Sequence, residues 1–181
     1  MSGPGKLLLA GLVCAVALGA PPAVNPDAAL VQDFHTRLDN YMKLRKPLVA
    51  KLKPTNSQAV IVERQRNLAA DLRAARPEAR QGDIFTPAIS AEFRRLIGIA
   101  MQGSHARRVH QSLKHAEPVR LHLRVNDAYP TRVPLQSTPP TLLANLPPLP
   151  QQIDYRLIAH DLVLHDAEAN IIVDFIPNAI P

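Results

Sequence analysis

Residues 154–181 read DYRLIAHDLVLHDAEANIIVDFIPNAIP, and this stretch decides the fold. Its apolar runs are too short for helices and are broken at His160-Asp161 and at Asp166-Ala167-Glu168-Ala169. Short runs rich in Ile, Val and Leu, bounded by turn residues, are strands. Strands are expected near 154–159, 161–165 and 170–176, with 166–169 as a hairpin loop and Pro177 as the stop. The first two can also be one bent strand. Pairing Leu164 with Ile171 would set Leu162 against Val173, His165 against Asn170, and Asp161 against Asp174.

Immediately before it, residues 130–150 hold seven prolines in 21 positions, which excludes regular helix or central strand throughout. Leu135, Leu142, Leu143, Leu146 and Leu149 make it a connecting segment that packs rather than a solvated linker. Within 120–129, RLHLRV alternates Leu121, Leu123 and Val125 with His122 and Arg124, the pattern of a half-buried strand.

Residues 27–116 carry helical spacing instead. Asp27 is a cap, and Val31, Phe34, Leu38, Tyr41 and Met42 form a stripe that Pro47 interrupts or ends, with Pro54 closing the segment. Ser57 opens a second helix with Ile61, Leu68, Leu72 and Ala75 as its apolar stripe, ended by Pro77. After the turn QGDIFTP, Thr86-Pro87 starts a third, buried through Ile89, Phe93, Leu96, Ile97 and Ala100. A weaker fourth is expected from Ser104 to Ala116. The fold expected is α+β: three to four N-terminal helices packed on a small C-terminal antiparallel sheet, spanning 153–177 with the strand at 120–129.

At the N-terminus, LLLAGLVCAVALGA (7–20) follows Lys6 and precedes Pro21-Pro22. The run is short for a membrane span and suits a signal peptide over 1–22, cut after Ala20 or Ala23. A retained anchor is the alternative. Val13 and Leu12 before Cys14 fit a lipoprotein signal poorly, so the one cysteine reads as part of the leader. The remaining residues 23–181 would be one domain without thiols, in the periplasm or secreted. Disulfide scaffolds, iron–sulfur clusters and cysteine-ligated zinc are thereby excluded.

The net charge of +6 is unevenly distributed. Residues 27–124 carry 18 Lys and Arg against 9 Asp and Glu, whereas 125–181 carry 2 against 6. Either the basic helices neutralise the acidic sheet, or they present a positive surface to a polyanion. The candidate binding residues are Lys43, Arg45, Lys46, Lys51 and Lys53, with Arg94 and Arg95 as a second group. An acidic protein or an anionic envelope surface is the expected partner, with peripheral membrane contact at most. Nucleic acid is not expected, because the chain lacks a zinc pattern, base-stacking aromatics and a reader helix.

Catalytic motifs are absent: there is no GxSxG, HExxH or phosphate-cradling glycine loop. His105, His110 and His115 recur every five residues and so share no helix face. The register above would gather Asp161, His165 and Asp174 on one sheet face, a set able to bind a divalent ion or run general-base chemistry. Gly82 in the QGDIFTP turn would let backbone approach a ligand, although capping by Asp83 and plugging by Phe85 are the simpler roles.

The phrases FHTRLDNYMKLRK, ERQRNLAADLRAARPEARQGDIFTP and DLVLHDAEANIIVDFIPNAIP together resemble an uncharacterised family of exported bacterial proteins. The resemblance implies export and carries no functional residues. The leading expectation is a non-enzymatic interaction protein for an acidic partner or anionic envelope component, without metal or cofactor. The alternative is a small periplasmic metal-dependent or general-base hydrolase using Asp161, His165 and Asp174.

Overall fold

A computed structural model describes residues 26–51, 55–102, 122–130, 142 and 144–180. Three helices precede a three-stranded sheet, an α+β arrangement. The helices are α1 (Pro26–Val49), α2 (Gln58–Ala75) and α3 (Pro87–Ala100). The strands are β1 (Ile153–Ile158), β2 (Asp161–Asp166) and β3 (Ile171–Ile176), antiparallel in the order β1-β2-β3. The expected leader at 1–22 and the fourth helix at 104–116 lie outside the described residues, as do Pro54 and most of 130–150. Among the described residues no helix is long and apolar enough to cross a membrane.

Local chemistry explains the boundaries. Thr86 caps α3 by accepting a hydrogen bond from the Ile89 N–H at 3.4 Å, with Pro87 in the first turn. Ser57 occupies the N-cap position of α2 without a side-chain bond. Pro47 lies inside the last turn of α1, which ends two residues later. The sequence from β1 into β2 is not one bent strand: Ile158 pairs with Asp161 across a tight turn in which Ala159 takes φ 52°.

One face of the sheet packs on the helices. Phe34, Leu38, Leu68, Leu72, Ile89, Phe93 and Ile97 meet Tyr155, Leu157, Leu162, Leu164 and Ile171 there. Phe34, Phe85 and Phe93 meet one another at 5.0–5.7 Å between ring centroids, Phe34 stacked on Phe85 and Phe93 inclined to both, and Phe93 meets Tyr155 at 6.0 Å. From the proline-rich segment, Leu142 and Leu146 join this core and Tyr155 donates to the Pro147 carbonyl. The opposite face buries Ile158, Val163, Ile172 and Phe175 under Tyr129, so β3 is buried throughout.

The expected strand at 120–129 is realised, within residues 122–129, as a single bridge between Ala128 and Ile171. Asn126, in the left-handed region at φ 71°, turns the chain too sharply for a longer ladder.

Candidate functional site

The pairing of β2 with β3 differs from the expected register. Leu162 faces Ile176, Val163 faces Phe175 and Leu164 faces Asp174, whereas His165 faces Ile172, so Val173 is an extra residue at a bulge. Asp161 and Asp174 are therefore not opposite one another. Asp161 caps the chain end by accepting from the Asn178 N–H at 2.8 Å. His165 lies against Tyr129 at 4.7 Å between rings, with Nδ1 at 2.9 Å from Asp154 and Nε2 at 3.1 Å from Asn170. Asp174 points to the helical side. The three expected site residues thus serve three separate sets of partners. Among the described residues no group of three His, Cys, Asp or Glu could hold a metal ion.

Asp174 instead explains the QGDIFTP turn. Its fully buried carboxylate accepts N–H bonds from Gly82 (3.0 Å), Ile84 (2.8 Å), Phe85 (2.8 Å) and Phe175 (2.8 Å). Gly82 takes φ +92°, which aims its N–H at the carboxylate at no steric cost. The close approach that the glycine permits is to an internal anion. Burial pushes the Asp174 carboxyl above its ordinary value, and the four N–H donors pull against that. On the other face, burial also opposes ionisation of Asp154, but hydrogen bonds from His165 and Arg156 outweigh it and hold the carboxyl below its ordinary value.

The basic patch divides by residue type. Arg45 is 4% exposed and is a correction to its expected role in binding: Nε donates to Asp166 at 2.6 Å and Nη2 to Glu168 at 2.6 Å. Tyr41 donates to the same Asp166 at 2.7 Å, and Asp166 accepts the N–H groups of Glu168 and Ala169. Burial and the neighbouring Asp166 carboxylate push the Tyr41 hydroxyl well above the ordinary range. Arg45 was identifiable as an inward residue, since it continues the stripe Phe34, Leu38, Tyr41 by four residues.

Other arginines also have partners, with Arg76 part-buried and Arg94 and Arg95 exposed. Arg76 donates to the Val173 carbonyl at 2.9 Å and lies 5.2 Å from the Tyr41 ring centroid; desolvation holds its guanidinium below its ordinary value. Arg94 donates to the carbonyls of Pro177 and Asn178, and Arg95 pairs with Glu92 and Asp27.

Lys43, Lys46 and Lys51 behave differently. All three are exposed, and none forms an ion pair with a described residue. Lys53 lies outside the described residues. Lys43 and Lys46 flank a groove of about 500 Å³ walled by Met42, Val49 and Ala50, with Arg45 and Gln152 also in its lining. The site therefore has one paired cation, Arg45, in its lining and two cations, Lys43 and Lys46, at its rim without an ion pair to a described residue. No family model, curated protein or solved structure matches the chain.

Proposed function

We propose that this chain is a non-enzymatic, exported interaction protein that binds an anionic envelope component through the C-terminal half of α1. One observation carries the reading: in the basic patch of α1, Arg45 is buried against Asp166 and Glu168, while Lys43, Lys46 and Lys51 around it stay exposed without an ionic partner among the described residues. Lysine suits the role, because a flexible ammonium meets a mobile anionic surface without a fixed fork geometry. The export signal expected at 1–22 supplies the location, periplasmic or secreted, in which such a surface is met.

Co-sedimentation of the full chain with anionic lipid vesicles tests this. Each lysine near an anionic surface contributes about 1 kcal/mol, so the triple Lys43→Gln, Lys46→Gln, Lys51→Gln variant should bind about a hundredfold more weakly. Added salt should weaken wild-type binding as well. Binding that ignores both changes overturns the proposal. Binding to an acidic protein from the envelope but not to the vesicles would assign the same lysines to a protein partner.

A further inference from the structure

We infer that the groove beside α1 holds the alkyl chain of an anionic amphiphile, a lipid with an acidic headgroup, whose head sits between Lys43 and Lys46. This rests on the anion-binding reading above and names the ligand of the same face.

The groove's volume, about 500 Å³, falls within the range usual for small-molecule sites. Its wall is apolar where a chain would lie: Met42 and Val49 are half-buried and continuous with the core, and Ala50 extends the wall outward. Lysines fit such a rim, because their methylene stems can lie along apolar surface while the ammonium stays in water.

Charge separates this groove from the others of similar size. The cleft beside Arg95 has its cation paired to Glu92 and Asp27. The cleft beside Arg37 has that residue paired to Asp33, and its second cation, Arg76, is bound to the Val173 carbonyl and set against two acids, Glu78 and Asp83. The cleft at Gly82 sets Arg80 and Arg94 beside Asp83 and has little apolar wall besides Phe85 and two prolines. Beside α1, only Asp39 stands against two free lysines, and Arg45 is already neutralised by Asp166 and Glu168. The groove therefore has a charge-satisfied floor, an apolar wall and a cationic rim. An inorganic anion would use only the rim. A neutral lipid would use only the wall. An acidic lipid uses both.

Isothermal titration of the full chain with octyl phosphate and decyl phosphate, kept below their aggregation concentrations, tests the inference. A buried methylene strengthens binding by up to about fourfold, so each added methylene should lower Kd by about two- to fourfold in this open groove. Decyl maltoside, which has the chain without the charge, should bind about tenfold more weakly or worse than decyl phosphate. Inorganic phosphate should give no measurable heat. Ala50→Trp, at an exposed position, should fill the groove and weaken alkyl phosphate binding about tenfold, with thermal unfolding unchanged.

A Kd independent of chain length, equal binding of the maltoside or of inorganic phosphate, or indifference to Ala50→Trp would each overturn the groove assignment. Vesicle binding that still depends on the lysines would then leave the anion-binding reading standing. Conversely, chain-length dependence in titration together with lysine-independent vesicle binding would keep the groove and remove the surface reading.

Discussion

Asp174 is the residue on which the turn before α3 depends. A buried carboxylate normally demands a cation, but here four backbone N–H groups take that role. Replacing Asp174 with Ala leaves the Ile84 and Phe85 donors buried without acceptors. The expected cost is about 3–5 kcal/mol by urea unfolding, and a loss under about 1 kcal/mol would contradict the geometry. Asp154 gives the opposite kind of test. Its folded-state value lies below the ordinary one, so the stability it contributes is present above the ordinary carboxylate range and lost as pH falls through the folded value. The stability gap between wild type and Asp154→Asn should therefore be full at neutral pH and close below about pH 4. A gap that widens on acidification would show that His165 and Arg156 do not hold this carboxylate as described. Neither aspartate's partner set could be read from sequence. Three of the four Asp174 donors lie about 90 residues away, and all are backbone groups, which leave no mark in residue type.

At the scale of elements, the boundaries of α3 and the hairpin were legible and the β2–β3 register was not. Thr86-Pro87 and the apolar spacing of Ile89, Phe93 and Ile97 each have one simple reading. β3 reads IIVDFI, apolar on both faces, so no alternation fixes its phase and the extra residue at Val173 leaves no trace. The second helix shows a different limit. Ile61, Leu68 and Leu72 lie on one sequence stripe, yet Leu68 is 1% exposed and Ile61 43%. Periodicity gives the face, not where along its length a neighbour ends. Leu68→Ala should thus cost about 2–5 kcal/mol, while Ile61→Gln should stay within about 0.5 kcal/mol of wild type. Similar losses from both would mean that the first turns of α2 are covered.

At the scale of the molecule, the charge asymmetry resolves into two populations. The basic half neutralises part of the acidic half, through Arg45 with Asp166 and Glu168, pairs separated by 121 and 123 residues. Lys43, Lys46 and Lys51 of the same patch stay exposed, without an ionic partner among the described residues. Composition could not divide the patch, because burial follows the helix face and not the charge. The division also predicts which charges matter. Arg64 and Arg66 on α2 have the same formal charge as Lys43 and Lys46 but are remote in sequence from the groove and absent from its lining. The most direct measurement compares vesicle binding of Lys43→Gln/Lys46→Gln with that of Arg64→Gln/Arg66→Gln, at equal loss of net charge. A fall of about thirtyfold in the first variant with little change in the second is the predicted result. Equal losses in both would mean that net charge alone drives association, and the assignment to α1 would fail.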